Sequence, residues 1–319
     1  MSESIAKDNY GRYACLLFDS TLKTVLGTAE HEDLFIEMLE FLIPGKHITS
    51  VTMLNREYNG LVNSEKKVTF DLLCRDEDSG EEFLVEMQNA YSRSYCDRVL
   101  YYSYYPLREQ LAKKEKELIS DEKKRAKMDY SLDPVYVISL VNFILDHESE
   151  ESLEEGYVSR YSIRNDRNGE VLTRALNFVF AEIGRLPYGK DEWSKCRSRI
   201  ERFLFTVKYM HTFAVFPVAF LNDPLLKKMA DAAELANMPI ELLNQYEVNM
   251  RSELDRITEI NSARDLGHEA GFAEGMEKGI EKGIENERIN NARNMLADGV
   301  PVEQVAKWTG LTADVIKRL

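Results

Sequence analysis

The alternation of apolar and polar residues predicts that the first part of the chain mixes helices and strands. Apolar residues recur at the spacing of an amphipathic helix between positions 12 and 43. A second helix is predicted over residues 92–116, kinked or interrupted at Pro106, and it leads into an exposed charged run over residues 113–129. Short apolar runs bounded by polar turns predict the strands. These runs cover residues 47–58, 68–74, 83–88, 135–141, 157–164 and 175–183.

This order of elements predicts an α/β fold with a mixed central sheet flanked by helices, followed by an α-helical C-terminal region. From residue 191 onward the pattern is helical, most clearly over residues 193–210 and 240–260. We therefore predict four segments. They are an α/β domain over residues 1–190, a helical extension over 191–262, a glycine-repeat helix or linker over 263–289 and a small helix-turn-helix-like tail over 290–319.

Glycine falls at every fourth position between Gly267 and Gly283, within the near-repeat GFAE, GMEK, GIEK, GIEN. Charge and periodicity favour a helix there, but each glycine costs about 1 kcal/mol relative to alanine. Such a helix either packs closely against a partner through its glycines or serves as a semi-flexible connector, and we favour the connector. The partner alternative predicts a homo-oligomer that forms through the C-terminal helical region.

The tail resembles a helix-turn-helix over residues 302–316. A small residue in the first helix, Ala306, a turn glycine, Gly310, and Ile316 in the second helix suit two helices that cross nearly at a right angle. The tail is interpreted either as a reader of DNA or as a small helical cap or dimerisation hairpin.

Composition narrows the class of protein. The net charge of −14 excludes a protein that coats nucleic acid by bulk electrostatics. A local groove remains open, because residues 157–211 carry eleven basic and six acidic side chains; an ordinary solvated surface is the alternative. No apolar run approaches the roughly 18 residues that span a bilayer. The four cysteines are scattered without metal or redox spacing, and the N-terminus lacks the pattern of a secretory signal, so we expect a cytoplasmic protein without membrane contact.

Two acidic residues lie within neighbouring strand-like runs. If residues 77–80 form a four-residue turn, Asp71 lies opposite Glu86, and Gln88 shares their face because it is two residues from Glu86. A shift of one residue would separate them. Like charges opposed at about 5 Å repel each other, and a divalent cation such as Mg²⁺ relieves that repulsion. An exposed hairpin edge with solvated acids is the alternative interpretation.

The run FDLLCRDEDSGEEFLVEMQ resembles the core of the Rpn-type recombination-promoting nucleases and transposases of the PD-(D/E)XK nuclease superfamily. The resemblance continues through YCDRVLYYSYYPLREQ and DPVYVISLVNF and spans nearly the whole chain. Its most specific part is Asp71 with Glu86-x-Gln88, followed by Arg98-x-x-Tyr101-Tyr102. The resemblance implies a restriction-endonuclease-like core over residues 1–190.

The resemblance also implies the activity of a metal-dependent DNA endonuclease that hydrolyses phosphodiester bonds in recombination or mobile-element biology. Asp71 and Glu86 are then expected to bind Mg²⁺, with Mn²⁺ as an alternative ion, and Gln88 completes the catalytic motif. Gln88 stands where the wider superfamily has lysine, which leaves the activation of the nucleophile open. The alternative function is a catalytically inactive DNA-binding or regulatory protein that retains the nuclease fold.

Further residues are assigned by the same resemblance. An acid from the first helix assists in parts of the superfamily, and Glu37 and Glu40 are the candidates here. Arg98 and Tyr102 are expected to contact a DNA phosphate. The alternative for these two residues is a helix that packs its tyrosines on the sheet and leaves the arginine outside.

Overall fold

The structure is a computed structural model that describes most of the chain. Its contacts divide the protein into two compact units, Met1–Met250 and Arg251–Leu319. The segment boundaries at residues 190, 262 and 289 stay predictions. The described residues are 11–54, 57–58, 68–119, 130–147 and 156–319.

The first unit is built around a mixed six-stranded sheet with the strand order β1-β4-β5-β6-β8-β7. The β5–β6 and β6–β8 pairs are parallel and the other pairs are antiparallel. A second, two-stranded sheet pairs β2 with β3. The strands are β1 (Val51–Met53), β2 (Glu57–Tyr58), β3 (Val68–Thr69), β4 (Leu72–Asp76), β5 (Glu82–Gln88), β6 (Val135–Val141), β7 (Val158–Ser162) and β8 (Leu176–Glu182).

Nine α-helices lie within the described residues. The helices before the sheet and between its strands are α1 (Asp19–Leu26), α2 (Glu32–Leu42) and α3 (Tyr95–Ile119). Those after the sheet are α4 (Arg199–Tyr209), α5 (Val218–Leu221), α6 (Pro224–Ala233), α7 (Ile240–Ala297), α8 (Val302–Thr309) and α9 (Ala313–Ile316). The predicted α/β class is confirmed, as are strands near residues 157–164 and 175–183.

The two faces of the sheet are covered by different helices. Val85 and Met87 of β5 belong to a large core together with buried residues of α1, α2, α4 and α6. Leu84 of the same strand belongs to a smaller core that contains Val99 and Tyr105 of α3. Successive residues of a strand alternate between faces. Residues at even positions of β5, including Glu86 and Gln88, therefore lie on the α3 face.

The helix predicted over residues 12–43 is divided in the structure. Helix α1 ends at Leu26, a short 3₁₀ turn follows, and α2 begins at Glu32. The division coincides with a close approach at Gly27, where an added Cβ would lie 2.7 Å from the Leu72 side chain and 2.5 Å from the Lys23 carbonyl oxygen. Helical periodicity continues across this point, so it hides the break.

Two predicted strands are also shorter than expected. The run 47–58 contains β1 and the short β2. The run 68–74 is broken at Phe70 and Asp71, so that β3 pairs with β2 while β4 joins the main sheet. Of the two outcomes predicted at Pro106, the interruption is wrong, because α3 continues through that residue, and the kink stays a prediction. Of the charged run 113–129, the part up to Ile119 belongs to α3, and residues 120–129 lie outside the described residues.

The predicted helix at 193–210 starts later than its periodicity suggests. A 3₁₀ turn, Trp193–Lys195, precedes α4. Ser198 caps α4 by accepting the Glu201 N–H, while the Glu201 side chain accepts the Ser198 N–H. This reciprocal capping box satisfies two backbone donors at the helix start and accounts for the boundary.

The glycine repeat is helical, as a part of α7. The helix agrees with the charge and periodicity of the repeat, and the choice between a connector and a partner-binding helix stays a prediction. Apart from the adjacent residues and the nearby backbone of the helix itself, no described atom lies within 4 Å of a Cβ built on any glycine from Gly267 to Gly283. In the tail, the predicted pair of helices is confirmed as α8 and α9. Gly310 turns between them at φ +73°, and Ala292, Val305 and Ile316 form a small core.

Candidate active site

The turn between β4 and β5 fixes the register of the hairpin. Asp76 N–H donates to the Glu81 carbonyl at 2.9 Å, and Gly80 N–H donates to the Asp76 carbonyl at 2.9 Å. Gly80 has φ +73°, a conformation that glycine adopts without strain. The ladder beyond this turn pairs Leu72 with Val85. Register and turn are those predicted from the sequence.

Asp71 lies directly before the first residue of β4 and reaches across to β5. Its neighbour Leu72 pairs with Val85, the residue before Glu86. The Met87 backbone N–H donates to Asp71 Oδ2 at 2.8 Å. Asp71 is 6% exposed. The Asp71 carboxylate is therefore held against the strand segment that carries Glu86, and the structure brings the two predicted acids together.

The environment of Glu86 penalises its negative charge. Oε1 of Glu86 is buried and has no hydrogen-bond partner. Burial raises the pKa of Glu86 well above its ordinary value, and the negative charge of Asp71 raises it further. A hydrogen bond from the Asp71 backbone and the charges of Lys23 and Arg98 oppose this shift in the Glu86 pKa. Two neighbouring carboxylates with an unpaired buried oxygen form a site that favours a cation.

Gln88 ends β5 and links the carboxylate pair to helix α3. Gln88 Nε2 donates to the Ala90 carbonyl at 2.7 Å, and Gln88 Oε1 accepts a hydrogen bond from Arg98 Nη2. The Arg98 guanidinium lies 5.1 Å from the centre of the Tyr95 ring and 5.9 Å from that of Tyr102. The three predicted residues Gln88, Arg98 and Tyr102 thus form one connected group beside Glu86.

The candidate acids of the first predicted helix, Glu37 and Glu40, contact residues other than Asp71 and Glu86. Glu37 Oε2 lies 3.0 Å from Lys228 Nζ. Glu40 Oε1 accepts the Ile48 N–H at 2.8 Å. The contact from the first helix that sequence reasoning missed is Lys23, whose Nζ lies 3.1 Å from Asp71 Oδ1.

A weak signal for Lys23 exists in the sequence. It follows the apolar Leu22 in an otherwise amphipathic helix and precedes Gly27 by one helical turn. That glycine marks a close approach of the helix end to the sheet. Periodicity alone assigns such a lysine to the solvated face, so the contact with Asp71 becomes visible only once the helix is placed on the sheet.

The residues at the site suit Mg²⁺ or Mn²⁺. Within the described part of the chain, no group of three or more His, Cys, Asp and Glu side chains is arranged to hold a metal ion. Mg²⁺ is commonly bound by one or two protein carboxylates, with water and substrate phosphate as the remaining ligands. The orphaned Oε1 of Glu86 beside Asp71 fits this mode of binding.

Several charges of the basic segment 157–211 hold the fold together. Arg160 Nη2 donates to the Leu42 carbonyl at 2.9 Å, and Arg199 Nε donates to Asp223 Oδ2 at 2.6 Å. These contacts tie β7 to α2 and α4 to α6. A DNA-binding groove in this segment stays a prediction.

The fold and the carboxylate pair define a class. A mixed sheet flanked by helices, with two acids meeting across a strand pair, is the α/β fold of PD-(D/E)XK nucleases. A family model described as PD-(D/E)XK nuclease family transposase matches residues 16–263, and the chain belongs to that family.

Comparison with curated proteins and with solved structures finds no match. None of the described helices combines the length and the apolar character needed to cross a membrane.

Proposed function

We propose that this protein is a metal-dependent DNA endonuclease that hydrolyses phosphodiester bonds during recombination or the movement of mobile elements. The observation that carries the proposal is the Asp71–Glu86 pair, in which two like charges meet at a buried position. Membership of a nuclease and transposase family supports DNA as the substrate.

Asp71 and Glu86 would hold the ion, Mg²⁺ or Mn²⁺. A bound divalent ion supplies a Lewis acid that stabilises charge on the phosphate and favours ionisation of a coordinated water. The Met87 N–H orients the Asp71 carboxylate from β5, and the unpaired Oε1 of Glu86 is free of competing donors. The first feature orients Asp71 before an ion binds, and the second leaves an oxygen of Glu86 open to the ion.

Gln88 and α3 would position the DNA. The Gln88 amide holds the Arg98 guanidinium, which the Tyr95 and Tyr102 rings confine from other sides. A guanidinium held in this way is suited to binding phosphate oxygens. Tyr102 also packs on Phe70, 5.5 Å away between ring centres, so it contributes both to the core and to the placement of Arg98.

A plasmid-nicking assay with Mg²⁺ tests the activity. We expect the wild-type protein to nick supercoiled DNA and the Asp71→Ala and Glu86→Ala variants to lose at least about 100-fold in rate, since each removes an ion ligand. The matched control is Glu77→Ala, which removes an exposed acid from the turn of the same hairpin. Equal cleavage by all four proteins would overturn the proposal.

Calorimetric titration with Mn²⁺ separates the endonuclease from its alternative. An endonuclease should bind the ion, and binding should be lost in Asp71→Ala. A protein that binds DNA but shows no Mn²⁺ binding and no cleavage would be the inactive DNA-binding or regulatory protein. The observation that favours this alternative is the neutral Gln88, which is occupied by Arg98.

A cytoplasmic location belongs to the same proposal. The described cysteines are free, three of them buried and Cys96 exposed, which is typical of a reducing compartment. Cell fractionation with detection of the protein tests it, and recovery from a membrane or secreted fraction would contradict it.

We also propose that α7 mediates a homo-oligomer. Phe272, Met276, Ile280 and Ile284 follow the glycines at four-residue spacing and are all exposed. Light scattering should show a mass greater than one chain, which falls in Ile280→Glu. An unchanged mass in that variant would contradict this role of α7.

A further inference from the structure

We propose that Lys23 supplies the catalytic positive charge of this site. The inference rests on the proposed endonuclease function. Lys23 lies on α1, and its Nζ is 3.1 Å from Asp71 Oδ1. Its side chain is 25% exposed, so the ammonium group lies beside the carboxylate pair and still has access to solvent, where a substrate phosphate would approach.

Gln88 cannot supply this charge. Its amide is neutral, and both of its polar atoms are engaged, one with the Ala90 carbonyl and the other with Arg98. Arg98 is a second cation near the pair, but its guanidinium is confined by the Tyr95 and Tyr102 rings. Lysine presents a compact charge on a flexible chain, which can move from Asp71 to a phosphate oxygen.

The packing of α1 on the sheet determines where the backbone of Lys23 lies. The neighbouring residues Leu22, Val25 and Leu26 are buried in the core on the Val85 face of the sheet. The end of α1 approaches β4 so closely that a side chain at Gly27 would meet Leu72, the residue that follows Asp71. Because the helix is docked at this point, Lys23 one turn earlier is directed to the Asp71 carboxylate.

The electrostatics of Glu86 agree with this placement. Among the charged side chains that lower the pKa of Glu86, Lys23 has a larger effect than Arg98. Lys23 therefore acts on both acids of the pair. Without an ion, its charge partly offsets their repulsion.

The reaction calls for a positive charge at this position. In phosphodiester hydrolysis the oxygen of water forms a bond to phosphorus and that water releases a proton to solvent, while one P–O ester bond breaks and the leaving oxygen takes up a proton from solvent. Negative charge grows on the phosphate oxygens in the transition state, and an ammonium group beside them stabilises it. Lys23 keeps its own proton throughout.

Moving the positive charge from position 23 to position 88 tests the inference. We expect Lys23→Gln to lower kcat of Mg²⁺-dependent nicking about 100-fold while the Kd for DNA, measured in Ca²⁺, stays within threefold. Adding Gln88→Lys to that variant should restore activity at least tenfold, because it returns a lysine to the site from β5. Lys23→Arg, which keeps the charge on α1, should retain more activity than Lys23→Gln.

The matched control is Lys46→Gln. Lys46 also pairs with an acid of this hairpin, Glu81, with Nζ 2.5 Å from Oε1, but it lies at the turn. Its removal should leave the nicking rate unchanged. Wild-type kcat in Lys23→Gln, or equal losses in Lys23→Gln and Lys46→Gln, would overturn the inference. So would failure of both Gln88→Lys and Lys23→Arg to recover activity.

Ion binding gives a readout that does not depend on cleavage. Removing the Lys23 charge leaves the carboxylate pair more negative, so calorimetry should show Mn²⁺ binding about threefold to tenfold tighter in Lys23→Gln. Weaker binding would mean that Lys23 only maintains the structure, and would overturn the inference. If the wild-type protein neither binds Mn²⁺ nor nicks DNA, the proposed function itself fails. If it does both and Lys23→Gln equals it, only the role of Lys23 fails.

Discussion

The two ends of the β4–β5 hairpin carry charged side chains in opposite arrangements. Near the turn, Arg75 pairs with Glu82 in the ladder, and Arg75 Nε donates to Glu82 Oε1 at 3.2 Å. At the far end, Asp71 meets Glu86, which is a pair of like charges. The first arrangement is the one that favours folding, because cross-strand neighbours of opposite charge attract. The second opposes folding, and the proposed function assigns it the binding of an ion.

The two glutamates show the same contrast in their pKa values. Burial raises the pKa of both Glu82 and Glu86. At Glu82 the hydrogen bond and the charge of Arg75 oppose this shift. At Glu86 the next contribution, the charge of Asp71, adds to it. Arg75 therefore offsets part of the burial penalty on Glu82 at one end, whereas Asp71 adds to the penalty on Glu86 at the other.

The largest expected effect is the loss of folding stability when the ion pair between Arg75 and Glu82 is broken. Glu82→Ala leaves the partly buried Arg75 without its partner, and removal of one member of such a pair costs about 3 kcal/mol. Urea unfolding measures the loss. Glu77→Ala, an exposed substitution in the turn, should change the free energy of unfolding by less than about 0.5 kcal/mol. A loss below about 1 kcal/mol for Glu82→Ala would contradict the structural role of this ion pair.

The next effect concerns the turn that sets the register of both pairs. Gly80→Ala should lower the free energy of unfolding by about 1–2 kcal/mol, because alanine is strained at φ +73°. Its Cβ would also lie 3.2 Å from the Asp133 carboxylate. Gly169→Ala is the matched control, since Gly169 has φ +72° and nothing within 4 Å of an added Cβ. A greater loss at Gly169 than at Gly80 would be inconsistent with the crowding at Asp133.

Variants at the two ends of the hairpin should differ in how much Mg²⁺ stabilises them. At ten times its Kd, Mg²⁺ should stabilise the wild-type protein by about 1.4 kcal/mol, because it binds the folded state. The gain should disappear in Glu86→Gln and persist in Glu82→Gln. Thermal unfolding with and without Mg²⁺ measures it, and an equal gain in both variants would place the ion elsewhere.

The hairpin and its carboxylate pair could be predicted because their determinants are local. A four-residue turn ending in Gly80 and alternating apolar positions are enough to set Asp71 opposite Glu86. The α/β class follows from the order of the apolar runs for a similar reason, and β6, which is apolar except for Ser139, has the pattern of a strand buried on both faces.

Contacts between distant segments could not be predicted in this way. The break between α1 and α2 and the position of Lys23 depend on the approach of Gly27 to Leu72, which no periodicity within α1 encodes. The bend at Asp71 depends on the pairing of β3 with β2 rather than with the main sheet.

The smallest expected effect is a difference in pH dependence at the functional end. Because the folded-state pKa of Glu86 is raised, its contribution to stability is fully present below the ordinary glutamate pKa and is lost as the pH rises through the folded-state value. Glutamine cannot ionise, so Glu86→Gln in metal-free buffer should differ least from wild type near pH 4 and gain relative stability toward pH 8. Glu82→Gln should show a smaller gain, because the hydrogen bond and the charge of Arg75 offset part of the burial penalty on ionised Glu82. Denaturant unfolding at several pH values measures both slopes. Parallel curves for Glu86→Gln and wild type would mean that Glu86 ionises without penalty, and the contrast between the two ends of the hairpin would then lose its electrostatic basis.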